Sequence, residues 1–245
     1  MKELLSAVYK RRSIRQFSDT KLTQEELKKV TDYLAEAKKL LPDIKVDYEI
    51  VPCSETSCKF NAEYCLMVYS EKKEHWLLNI GYWLAQWDLY LASQNIGVCW
   101  YAMGKTEKGT LNDLHFAIML AFGKCSEDSY RKSLKEFNRK EISEFWKNPS
   151  DLAVAEVARL APSDVNSQPW KVVEKNNVIK VSREKGSSMV TAMLLFNLWN
   201  KMDMGCFLAF LEIGLESQGY TFERTLHPEV TDKKSVLTAT YKIKK

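Results

Sequence analysis

Two stretches of this 245-residue chain, 79–95 (NIGYWLAQWDLYLASQN) and about 190–216 (MVTAMLLFNLWNKMDMGCFLAFLEIGL), are apolar almost all the way round a helical wheel. A helix without a polar stripe cannot lie on a surface and has to be enclosed on every side. Two such helices need covering elements of their own, and this requirement constrains the architecture more than any local motif.

The covering elements can be read around each helix. Leu4, Leu5 and Val8 stand at helical spacing, in a helix expected to run to Arg12. Thr23 followed by Glu26 is a capping box opening a second helix, with Leu27, Val30 and Leu34 on one face and Pro42 beyond its end. Segments 46–51 and 65–69 read as strands. Gly97 stands where a C-cap would end the first buried helix, and apolar strands follow at 98–101 and 116–122. The order then recurs: a helix near 151–160 closed by Pro162, strands at 170–173 and 178–181, the second buried helix, Gly219, and strands near 220–224 and 236–243. Setting 91–97 over 213–219 places the repeats about 122 residues apart. The chain therefore reads as an internal duplication in which one polypeptide mimics a homodimer. Residues 1–124 form the first half and 149–245 the second, around one shared core. The charged stretch 125–148 connects them, and its recurring Leu134, Phe137, Ile142, Phe145 and Trp146 argue for some ordered helix there.

Composition removes several function classes. With 36 basic and 32 acidic residues the net charge is +4 and interspersed, so a nucleic-acid partner is not expected. The longest apolar run, 116–122, is far short of the roughly 20 residues that span a bilayer, so neither is a membrane. The start, MKELLSAVYKRRS, lacks a signal-peptide core, and six cysteines without CxxC spacing read as reduced thiols of a cytoplasmic protein with no redox or metal role. His75, His115 and His227 form no paired ligand motif, so no metal site is expected. Neither GxGxxG, GxxxxGK[ST] nor GxSxG occurs, and glycine numbers only nine. A phosphorylated ligand would have to be held by side chains.

Two segments could supply them. Arg11-Arg12-Ser13-Ile14-Arg15-Gln16-Phe17 gathers three guanidiniums and a hydroxyl, a donor set suited to a dianionic phosphate. Like charges packed so closely repel one another unless an anion joins them, although a solvated basic helix end is the simpler alternative. Ile14 and Phe17 would anchor the turn in the core. The second segment, Ala161-Pro162-Ser163-Asp164-Val165-Asn166-Ser167-Gln168-Pro169-Trp170, frames a hydroxyl and two amides between prolines. It suits a flat heteroaromatic rich in donors and acceptors, and it also reads as an ordinary helix-to-strand turn.

Together the two segments resemble the nitroreductase family, whose chains pair an RRSxRxF phosphate motif with an APSxxNxQPW motif. Segment 64–105 also looks like that family's central helix and following strand. One departure stands out: the first half has Leu40-Leu41-Pro42-Asp43-Ile44-Lys45-Val46 where the second motif belongs, and Arg139-Lys140-Glu141-Ile142-Ser143-Glu144-Phe145 is at best a degenerate copy of the first. Complementary pieces survive in opposite halves, as in a fused pseudo-dimer that keeps one of two sites.

The resemblance implies an α+β fold with two related halves, each with a mixed or antiparallel sheet, and one FMN bound between them. Arg11, Arg12, Ser13 and Arg15 would hold the phosphate and ribityl end. Arg139 and Lys140 fit the place of a basic pair closing over the phosphate, or are only the decayed repeat. Pro162, Ser163, Asn166 and Gln168 would face the ring, and Trp100, Tyr101, Ala102 and Met103 would supply backbone groups at its N5 and O4 edge. Trp83, Trp87, Trp100, Trp199 and Tyr101 are aromatic candidates for the ring pocket, with a core role the simpler expectation for each. The implied activity is reduction of an electron-poor small molecule with NADH or NADPH by ping-pong hydride transfer, with no protein nucleophile. A flavin-binding sensor or carrier, a flavin-dependent dehalogenase or ring-modifying reductase of the same family, and an interaction module without cofactor remain open. A monomer would suffice for the site.

Overall fold

The computed structural model describes residues 1–106, 109–184, 198–230 and 234–245. After a 3-10 turn at Lys2–Leu4 come α1 (Leu5–Lys10), α2 (Gln24–Glu36), β1 (Val46–Pro52), β2 (Tyr64–Ser70), α3 (Trp76–Ser93), β3 (Ile96–Tyr101), β4 (Thr110–Leu111) and β5 (Leu114–Lys124). The connecting stretch carries 3-10 turns at Glu127–Ser129 and Leu134–Glu136 and the short α4 (Ile142–Phe145). Then follow α5 (Leu152–Arg159), β6 (Trp170–Lys175), β7 (Val178–Glu184), α6 (Trp199–Ser217), β8 (Thr221–Leu226) and β9 (Ser235–Lys244). Residues 190–197 of the second predicted helix lie outside the described residues. No described helix is long and apolar enough to cross a membrane.

The strands form two sheets, ordered β1-β2-β5-β3 with β4 beside β5, and β6-β7-β9-β8. Every pairing between these strands is antiparallel, and among the described residues parallel contact is confined to the isolated bridges Ser13–Val98 and Trp146–Val172. The mixed sheet allowed by the sequence is therefore two antiparallel ones, and the α+β class stands.

Helices α3 and α6 are buried almost throughout, as their missing polar stripe required. They cross backbone to backbone at two glycines. A Cβ on Gly81 would lie 2.0 Å from Met202 O, and one on Gly205 would lie 2.1 Å from Leu78 O. Each contact repeats the other with the two helices exchanged, at an offset of 124 residues rather than the 122 obtained by aligning the helix ends. The difference arises because Gly97 does not terminate α3. The helix ends at Ser93, and Asn95 takes the left-handed turn with φ 57°. Gly97 lies in β3, where a Cβ would sit 2.9 Å from Ile14 Cγ2, so the glycine serves a close approach instead.

The first sheet and α2 pack on α3 through Leu66, Val68, Val30, Leu84 and Phe122. The Trp83 and Trp87 indoles donate to Leu34 O (2.9 Å) and Val30 O (3.1 Å), tying α2 to α3 as core residues. The Thr23–Glu26 capping box forms with both of its hydrogen bonds, worth about 1 kcal/mol to α2. The second sheet packs with α5 on α6 through Val172, Val181, Tyr241, Phe207 and Val157. Phe137, Phe145 and Trp146 of the connecting stretch are buried in the same cluster, while Leu134 is exposed.

Candidate functional site

The site begins where α1 stops. Arg11 turns out of the helix with ψ 132°, and the chain then runs beside β3, where the Ile14 N–H donates to Val98 O at 2.9 Å. Ile14 and Phe17 are buried as anchors. Extended backbone alternates its side chains, so Arg11, Ser13 and Arg15 share one cavity wall.

Arg11 is the buried member. Its Nε donates to Asp88 Oδ2 at 2.8 Å and its Nη2 to Ser13 Oγ at 3.1 Å. Asp88 is the single charged residue of α3, and Oδ2 also accepts the Trp100 indole N–H at 2.8 Å. One buried carboxylate thus aims both a guanidinium and an indole that line the cavity.

The connecting stretch forms a second wall. Arg131 donates to Arg11 O and lies over the Phe137 ring, 4.1 Å from its centroid. Arg139 Nε donates to Ala161 O (3.0 Å) and Nη1 to Asn166 Oδ1 (2.7 Å). Burial, then repulsion from neighbouring guanidiniums, lowers Arg131 to about 10 and Arg139 to about 9. Among the described residues, only Arg11 of the five arginines lining this space has a carboxylate partner. Asp88 pairs with Arg11 and the Glu136 carboxylate lies near Arg12 and Arg131, so positive charge stays in excess here, and an anion would relieve it.

The third wall is the 162–168 turn. Val165, Asn166 and Gln168 adopt φ of 44°, 57° and 48°. A β-branched residue in the left-handed region costs about 1–2 kcal/mol, and Val165 is 70% exposed, so burial does not offset that cost. Neighbours enforce the shape: Ser163 Oγ accepts the Gln168 N–H (2.9 Å), and Asp203 of α6 accepts the Asp164 N–H (2.9 Å) and the Ser167 hydroxyl (3.4 Å). Burial raises the Asp203 and Asp164 carboxyls.

These walls line a cavity whose other end is mainly apolar, with Trp100, Ala102, Ile118, Trp199 and Met202 beside Asp164 and Asp203. It adjoins a largely basic space lined by Arg11, Arg12, Arg15, Arg131 and Arg139, with Glu136 as its carboxylate.

Residues 3–215 match the family described as "Putative TM nitroreductase". The chain belongs to that family. Membership supports an oxidoreductase role. No curated protein matches the chain. A crystal structure from Thermotoga maritima, described as a "putative nitroreductase", is 19% identical with TM-score 0.63 over 98% of this chain and 93% of its own, a likeness of fold. A nitroreductase family protein from Clostridium difficile is 17% identical with TM-score 0.47, over 58% of this chain and 94% of its own. A protein from the same species described as an FMN-dependent nitroreductase is 16% identical with TM-score 0.43, over 54% and 93%.

In this nitroreductase-family chain the residues expected at the site divide into two groups. Arg11, Arg12, Ser13, Arg15, Trp100, Ala102, Arg139, Pro162, Ser163 and Asn166 line the joined cavities. Tyr101 and Met103 do not. Strand alternation turns Tyr101 to the outer face of the first sheet, where its O–H donates to Ser57 O (3.4 Å), and Met103 is 74% exposed. Gln168 and Lys140 bond to each other instead: Gln168 Oε1 accepts the Lys140 N–H (2.8 Å) and Gln168 O accepts Lys140 Nζ (3.0 Å). They brace the turn that carries Arg139. Trp199 lines the cavity, whereas Trp83 and Trp87 do not. Sequence reading missed Asp88, Arg131 and Asp203. Asp88 left a signal, a lone charge on a helix with no polar face. Arg131 left none among so many charged neighbours.

Proposed function

We propose that the protein is an FMN-dependent NAD(P)H oxidoreductase acting on electron-poor small molecules, with one flavin site per chain. What carries this reading is the convergence of five arginines, four without a carboxylate partner among the described residues, on a cavity whose other end is mainly apolar. A phosphate at the basic end and a flat ring at the apolar end fit that donor set. Arg12, Ser13, Arg15, Arg131 and Arg139 would hold the phosphate, with Arg11 fixed behind them by Asp88. Trp100, Ala102, Pro162, Ser163 and Val165 would bracket the ring. The Ser163 oxygen already accepts from Gln168, so its proton is free to be donated into the cavity. Asn166 is spent on Arg139 Nη1 and Asn138 O, and so orients the phosphate wall without reaching the ring. Bound there, FMN would supply hydride transfer from NADH or NADPH to an acceptor in alternating half-reactions, hence ping-pong kinetics.

The same reading takes the chain as an internal pseudo-dimer with a single surviving site, sufficient as a monomer. Glu212 and Arg224 stand 124 residues beyond Asp88 and Trp100, and Arg224 donates to Glu212 as Trp100 does to Asp88. Around Glu212, however, the Tyr82 (2.7 Å) and Tyr241 (2.8 Å) hydroxyls complete the shell, and all three side chains are buried. Glu212 is thus met by two tyrosine hydroxyls, whereas Asp88 is met by Arg11. Anaerobic titration of the FMN-loaded protein with NADH and with NADPH tests the activity. Bleaching of the flavin by one of them is expected, and an unbleached spectrum with both would refute turnover and leave a flavin carrier.

A further inference from the structure

The outer face of the first sheet, opposite α3, carries Cys65, Met67 and Tyr69 of β2, with Cys53 packed among them. Here the loop after β1 brings Cys53, Cys58 and Cys65 together, their three sulfurs all within 4.8 Å of one another. The arrangement is held by specific bonds. The Cys53 N–H donates to Glu63 O at 3.0 Å, extending the β1–β2 register past Pro52. Thr56 Oγ1 donates to Cys53 O (2.8 Å), accepts the Cys58 N–H (3.1 Å) and lies 3.4 Å from Cys65 Sγ. One hydroxyl therefore touches all three cysteines. Cys53 and Cys65 are buried and Cys58 half-buried, so the cluster is reached from one side.

Sulfurs bound to one metal at about 2.3 Å stand roughly 3.8–4.0 Å apart, which lies within the observed spacing. We propose that Cys53, Cys58 and Cys65 form a three-thiolate site for a thiophilic divalent cation of the zinc class, with the fourth position open to an exogenous ligand. Soft thiolates select such ions over magnesium or calcium. Burial raises the Cys53 and Cys65 thiols. Binding replaces three S–H bonds with three S–metal bonds and releases three protons to the buffer, and nothing is oxidised or reduced. The Cys-x4-Cys-x6-Cys spacing contains no CxxC and so carries no familiar metal-site signature.

The site would also bear on the cavity mouth. Ser57, inside the cysteine loop, accepts the Tyr101 O–H on its carbonyl (3.4 Å) and the Lys105 N–H on its Oγ (2.8 Å). A metal closing the loop would brace the chain on either side of the cavity residue Ala102.

Cobalt(II) titration of reduced, metal-stripped protein tests the proposal. A sulfur-to-cobalt charge-transfer band should saturate at one cobalt per chain, disappear on adding zinc(II), and be lost in Cys58→Ser and Cys65→Ser. Cys125→Ser, whose thiol bonds to Tyr130, should keep it. No band at millimolar cobalt, or an unchanged band in Cys58→Ser, overturns the site. Should the variants misfold by circular dichroism, calorimetry of zinc binding to the wild-type chain in buffers of different ionisation enthalpy decides. Three protons released per zinc support the site, and none released refutes it.

Discussion

Replacing Asp88 with Asn isolates the role of the carboxylate behind the basic wall. Asp88 Oδ2 accepts both Arg11 Nε and Trp100 Nε1 at 2.8 Å, and Arg11 is only 3% exposed. Asparagine keeps one acceptor oxygen and the volume but removes the charge, leaving a buried guanidinium without its counterion. Removing one partner of a buried ion pair typically costs about 3–5 kcal/mol. Ser13 Oγ still accepts from Arg11, and the cavity admits water, so the lower end, about 3 kcal/mol, is expected here. For a chain of this size that lowers the melting temperature by about 6–12 °C, at about 2–4 °C per kcal/mol. Thermal melting of flavin-stripped wild type and Asp88→Asn measures it directly. A dianion in the cavity should compensate the unpaired Arg11 charge, so inorganic phosphate should raise the variant's melting temperature more than the wild type's. A variant that melts within about 2 °C of wild type, with no added response to phosphate, would refute the reasoning.

Arg12 has no carboxylate partner among the described residues and is exposed, so Arg12→Met should leave stability within about 0.5 kcal/mol. Loss of a charged hydrogen bond should nevertheless weaken FMN binding by about 10–100-fold in fluorescence titration, and equal affinity would remove Arg12 from the phosphate wall. Val165→Gly relieves a strained φ of 44° at an exposed position, so denaturant unfolding should show no loss of stability, while a loss above about 1 kcal/mol would contradict the strain. Burial favours the neutral form of Glu229, but hydrogen bonds and charge from His75 and Lys201 outweigh it and hold its carboxyl at about 2. Because the folded value is depressed, this contribution is present above about pH 4.5 and is lost as pH falls toward about 2. Glu229→Gln should flatten the acid limb of the melting-temperature profile, and an unchanged limb would remove Glu229 as its source.

Much of this site was legible because its parts depend on local chemistry. Arg11, Ser13 and Arg15 lie on one wall since an extended chain alternates, and Ile14 and Phe17 announced which side was core. The 161–170 turn was readable from its prolines and amides, although the positive φ of Val165 was not, since nothing in a valine predicts a left-handed turn. Trp100 and Tyr101 looked equivalent in sequence and fall on opposite faces of β3, which only strand pairing decides. Gln168 and Lys140 are 28 residues apart yet satisfy one another, so donors that looked free for a ligand were already committed. Gly97 resembled a helix stop because glycine has two uses, and the close approach of Ile14 selected the other. The three-cysteine cluster was invisible for the same reason as the Glu212 shell: tertiary packing, not spacing, assembles both.

Counting bound flavin tests the central claim most directly. Protein saturated with FMN, freed of excess by gel filtration, and assayed for flavin and polypeptide should retain one FMN per chain, and Arg12→Met combined with Arg15→Met should retain far less. Retention of no flavin, of two per chain, or of the same amount after both arginines are removed would contradict the account.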